Sequence, residues 1–180
     1  MNEGSMSAAS IAVTVVGDDR PGIVAAVAKV LYEAGCNLED VTSTILRGHF
    51  TMVLVVRSTD NDAAALEKAL VPLAEGTDLV ITARPVGPAH LDVALPTHVV
   101  SVYGADKPGI VFRVADVLAR NGANIRELTS RVVGDETSPV YALMLEVTLT
   151  DVETTSAELD ALHGELDVEV SVHPLDIDVL

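Results

Sequence analysis

The sequence contains little of what aromatic cores, disulfides and metal sites are built from. Its 180 residues include no Trp, two Phe, three Tyr and one cysteine, Cys36. A single cysteine excludes an internal disulfide and a cysteine-based zinc site. The five histidines lack a metal-ligand spacing such as His-Glu-x-x-His, so no metal or other cofactor is expected. Because 49% of the residues are hydrophobic, aliphatic side chains must build the core.

Basic residues are also scarce. Lys and Arg total 11 against 27 for Asp and Glu, which gives a formal charge of −16, divided as −5 over residues 1–90 and −11 over residues 91–180. Proteins that bind nucleic acids tightly rely on Lys and Arg to displace counterions from phosphates. The charge therefore argues against direct contact with DNA and against binding to an anionic membrane surface.

Long apolar runs are missing as well. The run at 52–56 is five residues long, whereas a membrane-spanning helix needs about 20 apolar residues. The first ten residues lack the basic and apolar regions of a signal peptide. We therefore expect a cytoplasmic protein, with residues 1–9 as an unstructured N-terminus or a cloning scar.

The most informative feature of the sequence is an internal repeat. The segment from Gly17 to Val24, GDDRPGIV, recurs 87 residues later as GADKPGIV, from Gly104 to Val111. Aligning residues 14–44 with residues 101–131 gives 15 identities in 31 positions without a gap. Two copies of this length indicate a duplicated domain rather than a solenoid of many short units.

Each copy shows the same order of predicted elements. In the first copy we predict strands at 11–16, 38–46, 50–57 and 79–84, and helices at 21–34 and 60–74, the second of them shortened by Pro72. In the second copy we predict strands at 99–103, 124–133, 140–148 and 168–172, and helices at 108–121 and 153–165. The order in both copies is βαββαβ.

This order predicts an α+β fold. The usual closure of βαββαβ is a four-stranded antiparallel sheet with two helices on one face, the ferredoxin-like sandwich. We place the first domain at 10–85, a proline-containing linker at 86–96, the second domain at 97–175 and a tail at 176–180. The open faces of the sheets are partly apolar, which favours a neighbouring domain over them.

The repeated motif has the chemistry of a site for a free amino acid. Amides at the start of the first helix can bind a carboxylate, and Gly22 lets a ligand approach the backbone closely. Asp19 offers an acceptor for an ammonium group, and the amide of Asn37 offers both a donor and an acceptor.

Structural roles alone could explain the same residues. Asp19 and Asp106 could cap the helices that follow them. Asn37 and Asn124 could adopt turn geometry at a helix exit, and Gly22 and Gly109 could serve close packing only. Cys36, which the second copy replaces with Ala123, has the character of a small buried residue.

The segments GDDRPGIV and GCNLED resemble the ACT domain, and the second copy matches it with DKPGIV and GANI. This resemblance covers nearly all of residues 10–174. It implies a regulatory module that binds amino acids where two such domains meet. The implied ligand-binding residues are Asp19, Gly22, Ile23, Cys36, Asn37 and Leu38 in the first copy, and Asp106, Gly109, Ile110, Ala123, Asn124 and Ile125 in the second.

Tandem ACT domains with no enzyme attached resemble the glycine cleavage system transcriptional repressor family. Formyltetrahydrofolate deformylase carries a similar ACT domain, but its catalytic domain is missing here. We therefore expect a non-enzymatic regulator that binds a small amino acid, forms a homodimer and acts through a transcription factor or a metabolic enzyme. The alternatives are an interaction module without ligand and a free-standing regulatory subunit of an enzyme.

Overall fold

The computed structural model describes residues 10–58, 62–87, 94–134 and 139–175. The described residues up to 87 belong to one compact unit, and those from 94 onward belong to a second. The N-terminal segment 1–9, the tail 176–180 and most of the expected linker lie outside the described residues. Within the described part of the chain, no helix is long and apolar enough to cross a membrane.

The first unit has the predicted βαββαβ order. Its elements are β1 (Ser10–Asp18), α1 (Ile23–Glu33), β2 (Cys36–Leu46), β3 (His49–Ser58), α2 (Ala63–Glu75) and β4 (Val80–Val86). The strands form an antiparallel sheet in the order β2-β3-β1-β4. The strand β2 is therefore at one edge of the sheet, and it runs in the same direction as β1.

The second unit repeats this arrangement. Its elements are β5 (His98–Ala105), α3 (Ile110–Arg120), β6 (Asn124–Val133), β7 (Val140–Thr148), α4 (Val152–Asp160), α5 (His163–Leu166) and β8 (Val168–Pro174). Its antiparallel sheet has the order β6-β7-β5-β8, so β6 is the equivalent edge strand. The α+β ferredoxin-like fold predicted for both copies is confirmed.

Aliphatic side chains build each core, as the shortage of aromatic residues requires. Alternate residues of β1, such as Val13 and Val15, are fully buried on the face that the helices cover. Leu31 of α1 is fully buried against them, and Leu118 of α3 has the equivalent place in the second unit. This alternation is the pattern of a sheet with one covered face.

Gly17 and Gly104 hold the end of the first strand of each unit close to the strand beside it. A Cβ atom at Gly104 would lie 2.6 Å from the backbone oxygen of Asp167 and 2.9 Å from Cα of Val168. A Cβ atom at Gly17 would lie 2.6 Å from a side-chain carbon of Leu79. Close packing against backbone atoms thus requires glycine at position 104, whereas the nearest neighbour of Gly17 is the end of a flexible side chain.

Two boundaries differ from the sequence prediction. Pro72 lies inside α2, which continues to Glu75 because the carbonyl of Pro72 still accepts a hydrogen bond from the amide of Gly76 at 3.1 Å. The helix predicted at 153–165 is divided into α4 and α5, where the amide of Leu162 bonds the carbonyl of Leu159 in a tighter turn.

One further boundary differs from the prediction, and one predicted bend falls mostly outside the described residues. The strand β4 reaches Val86, the first residue of the segment expected to be linker. The polar bend expected between β6 and β7 falls mainly on residues 135–138, which lie outside the described residues.

Candidate functional site

The helices α1 and α3 begin without a side-chain cap. Gly22 is the N-cap of α1, with φ of 93°, and Gly109 is the N-cap of α3, with φ of 98°. By contrast, the side chain of Asp62 caps α2 and that of Asp151 caps α4. The first-turn amides of α1 and α3 therefore point out of the helix with no side-chain acceptor, as a carboxylate-binding helix start requires.

This geometry corrects two of the structural alternatives. Asp19 and Asp106 do not cap the helices, because the residue at each helix start is a glycine in the left-handed region. Close packing does not explain Gly22 and Gly109 either, since a Cβ atom at these positions would meet nothing within 4 Å. The positive φ is what favours glycine here.

The loop between β1 and α1 is held in place by its neighbours. The amide of Asp19 donates a hydrogen bond to the carbonyl of Gly48 at 2.8 Å, which ties the loop to the β2–β3 turn. The guanidinium of Arg20 donates to the carbonyl of Thr77 at 2.7 Å. These bonds fix the backbone and leave the carboxylate of Asp19 exposed.

A groove of about 730 Å³ runs between this loop, α1 and the edge strand β2. Its volume is in the range of small-molecule sites. Asp19 and Arg20 line it from the loop, while Val24, Ala25 and Ala28 line it from the helix. The charged side chains therefore come from the loop, and the helix wall is apolar and small.

The edge strand supplies the opposite wall. Ser43, Thr44 and Ile45 line the groove from β2, and Phe50 of β3 lines it near the hairpin turn. Sequence reasoning did not assign any of these four residues, or Ala25 and Ala28, to the site. The identities of Thr42 with Thr129 and of Ser43 with Ser130 in the repeat were a signal that pointed to this strand.

Three of the predicted site residues, Asp19, Gly22 and Ile23, line the groove together. Asn37 does not, because it pairs with Arg57 at the other end of the sheet, whereas Asp19 follows Asp18, which pairs with His49. The eight residue steps from His49 to Arg57 along β3 correspond to roughly 27 Å. A single domain therefore cannot bring Asp19 and Asn37 to one ligand.

The far end of β2 has its own interactions. Ser10 donates a hydrogen bond to Glu39 at 2.8 Å, and Glu39 also forms an ion pair with Arg57. Asn37 and Leu38 are exposed beside this cluster.

Cys36 is partly buried, and burial raises the pKa of its thiol although a hydrogen bond with Ser58 opposes the rise. The thiol is therefore protonated at neutral pH, which agrees with a packing role.

The second unit separates its candidate residues in the same way. Asp106, Gly109 and Ile110 lie where the loop enters α3, and Asn124 pairs with Thr148 at the other end of the sheet. Its neighbours Ala123 and Ile125 pack against the hydrophobic core. They contribute to the fold of the unit more than to an accessible site.

Ion pairs form around the start of α3, whereas hydrogen bonds hold the loop before α1. Lys107 lies 3.6 Å from the carboxylate of Asp167, and Arg113 lies 2.6 Å from that of Glu165. The carboxylate of Glu165 raises the pKa of the Arg113 guanidinium. Lys107 of the loop and Arg113 of α3 thus both form ion pairs with the segment just before β8.

A second concavity, of about 360 Å³, lies on the open face of the second sheet. Glu127 and Glu146 line it from directly opposite positions on β6 and β7, together with Arg131 and Met144. Among the described residues, no group of three or more His, Cys, Asp or Glu side chains could hold a metal ion. The concavity therefore has no evident metal-binding set.

Comparison with known families identifies both units. The ACT domain model matches residues 10–83, and a second ACT domain model matches residues 98–166. The chain therefore belongs to the ACT domain family and carries two ACT domains in tandem, which confirms the resemblance seen in the repeated motif.

Curated relatives match either nearly the whole chain or one of its domains. The chain is 29% identical over 173 residues to the glycine cleavage system transcriptional repressor of Escherichia coli strain K12, an alignment that covers 91% of this chain and 88% of the relative. A UPF0237 protein of Streptococcus mutans is 43% identical over 70 residues, covering 38% of this chain and 80% of that protein. The second relative thus corresponds to one domain.

Solved structures share the whole architecture. A protein of unknown function from Galdieria sulphuraria superimposes with a TM-score of 0.78 at 26% identity, covering 93% of this chain and 98% of that one. A candidate glycine cleavage system transcriptional repressor superimposes with a TM-score of 0.71 at 23% identity, covering 93% and 97%. The second of these similarities supports the fold alone.

Proposed function

We propose that this protein senses a small amino acid at an interface of its ACT domains and passes the signal to a protein partner. It is a regulator rather than an enzyme. The observation that carries the proposal is the groove between α1 and β2, which combines uncapped helix amides with the exposed carboxylate of Asp19. A free amino acid needs such donors and such an acceptor within a few ångströms of each other.

The exposed edge strand supports an interface at this groove. The side chains of Val41, Ile45 and Leu46 on β2 are 50%, 55% and 63% exposed. Main-chain donors and acceptors of an edge strand can pair with another strand. A second ACT domain on this edge would cover the open side of the groove and exclude water from a bound ligand.

Antiparallel pairing of two β2 edges also resolves the separation of Asp19 and Asn37. In such a pair the beginning of one strand lies beside the end of the other. Asn37 of a second copy would then lie near the groove formed by Asp19 and Ile45 of the first. A two-fold symmetric homodimer would contain two such composite sites.

The charge of the chain favours action through a protein. At −16 it repels DNA at long range, so a role in transcription requires a basic partner that contacts the operator. The similarity to the Escherichia coli repressor supports the regulation of glycine metabolism as the setting. A soluble, cytoplasmic protein fits this role.

Calorimetric titration of the full chain with the twenty amino acids tests the proposal. We expect saturable binding of a small amino acid, weakened by Asp19→Asn and by Asn37→Ala. Dissociation constants weaker than about 1 mM for every amino acid would contradict it.

A mixing experiment tests the composite site. Each variant alone forms dimers with two defective sites, whereas a mixed dimer has one intact site formed by Asp19 of one chain and Asn37 of the other. Mixing and equilibrating the two variants should therefore restore part of the binding. Native mass spectrometry must show that mixed dimers formed, because the two variants differ in mass. If mixed dimers form and binding is still not restored, the site is not shared between copies.

A ligand-free interaction module is the second candidate. The exposed apolar side chains Val41, Ile45 and Leu46 favour it, because they would serve dimer formation without any ligand. A dimer that forms fully without amino acids and does not respond to them would support this candidate. A regulatory subunit of a metabolic enzyme would be distinguished from a transcriptional regulator by the partner recovered from cell extract.

A further inference from the structure

The two repeats differ on the helix wall of the groove. By the register of the repeat, Ala25 of α1 corresponds to Phe112 of α3, and Ala28 corresponds to Ala115. Ala25 lines the groove of the first domain, and Phe112 is 66% exposed in the second. One methyl group in the first domain is thus replaced by a benzyl group at the same position.

The backbone places these two residues equivalently. Both helices begin at a left-handed glycine, and the first helical hydrogen bond is 2.9 Å in each, from Ala26 to Gly22 and from Arg113 to Gly109. Position 112 therefore projects toward the edge strand β6 as position 25 projects toward β2. Because Ala25 lines the groove of the first domain, a ring at position 112 adds bulk at the equivalent place of the second domain.

The walls of the first groove also limit the chemistry of the ligand. Its charged lining residues, Asp19 and Arg20, are adjacent on the loop. The walls away from the loop consist of uncharged side chains such as Val24, Ala28 and Phe50. An amino acid whose ammonium and carboxylate groups lie at the loop would place its side chain against this uncharged wall, where a charged side chain would lose hydration without a partner.

We infer that amino-acid recognition is confined to the first ACT domain, where Ala25 keeps the groove open, and that the ligand is an α-amino acid with an uncharged side chain. Phe112 makes the second domain a structural or partner-binding copy. This inference rests on the proposed function. It specifies which domain binds the amino acid and which residue keeps that domain's groove open.

Three variants of the full chain test the inference by calorimetric titration with the best-binding amino acid. Ala25→Phe introduces the second domain's residue into the first groove, and we expect it to weaken binding by at least about tenfold. Phe112→Ala should leave affinity unchanged. Ala64→Phe is the matched control, because it adds the same ring at an exposed position of α2 in the same domain, and it should also bind normally.

The outcomes separate the two levels of the argument. If the unmodified chain binds no amino acid, the proposed function is wrong. If it binds two equivalents per chain, prefers a charged amino acid, or binds equally well with Ala25→Phe, the proposed function stands and the inference is wrong. Circular dichroism and light scattering of each variant must show an unchanged fold and dimer, so that loss of binding reports on the groove.

Discussion

The two ACT domains have the same fold and the same strand register, but they hold the loop before the first helix differently. In the first domain Arg20 donates a hydrogen bond to a backbone carbonyl, whereas in the second Lys107, at the equivalent position, forms an ion pair with Asp167. The first domain has Ala25 on its helix wall, and the second has Phe112. The candidate-site residues Asp19, Gly22 and Ser43 recur in the second copy as Asp106, Gly109 and Ser130, so Ala25 is the exception on the helix wall of the groove.

The largest losses of stability should come from truncating core side chains, and they should be similar in both domains because the two cores are equivalent. Leu31→Ala and Leu118→Ala each remove a fully buried side chain, so each should lower the free energy of unfolding of its own domain by about 2–5 kcal/mol. Chemical denaturation followed through the NMR signals of each domain measures this. A much smaller loss in one domain would show that its core can collapse into the space.

Replacing the glycine that begins the repeated motif, Gly17 or Gly104, should destabilise the two domains by different amounts. Gly104→Ala pushes a methyl group against backbone atoms that cannot move aside, so we expect a loss of about 2–3 kcal/mol. Gly17→Ala meets mainly the end of a leucine side chain, so a loss of about 1 kcal/mol is expected. Equal losses in the same denaturation experiment would mean that the strand beside Gly104 shifts as easily as Leu79.

Substituting the glycine at the start of α1 or of α3 should lower the stability of its domain by similar amounts, but only the first substitution should weaken ligand binding. Gly22→Ala and Gly109→Ala both force alanine into a positive φ, at a cost of about 1–2 kcal/mol. Only Gly22→Ala should weaken amino-acid binding, since it alters the amides of the first groove. Loss of binding in Gly109→Ala with retention in Gly22→Ala would reverse the assignment of the two domains.

The smallest expected effect is the loss of stability of the second domain at low pH that comes from Asp151. Hydrogen bonds from the amide and hydroxyl of Thr154 lower the pKa of Asp151. The stabilisation is therefore present above the unfolded pKa of about 3.9 and is lost as the pH falls through the lower folded value.

Asp151→Ser is the variant for this test, because serine can cap α4 but does not titrate. The melting temperature of the second domain should fall less between pH 5 and pH 3 in Asp151→Ser than in the unmodified chain. The same fall in both would show that other carboxylates control the acid sensitivity. These pH values are chosen to lie on either side of about 3.9.

Much of the fold could be predicted from the sequence because the motif occurs twice. The repeat fixed the order of strands and helices, and the ends of α1 agree with the prediction to within two residues. The caps could not be predicted in this way, since Asp19 has the right chemistry for capping α1 and only the backbone shows that Gly22 has that position.

The candidate site was less accessible to sequence reasoning. Asp19 and Asn37 are 18 positions apart in the chain and both flank α1, which suggested a single site. The strands β1 and β2 run in the same direction, so the residue after β1 and the beginning of β2 lie at opposite ends of the sheet. Ala25 and Ala28 were overlooked because small residues on an exposed helix face carry no chemical signal of their own.

The most direct test of the account is to map the bound amino acid by NMR on the full chain. We predict that titration perturbs the amide signals of residues 22–25 in α1 and 43–45 in β2, and that the signals of residues 109–112 stay unchanged. Perturbations centred on residues 109–112, or on the open face around Met144, would contradict the claim that the first domain's groove binds the amino acid.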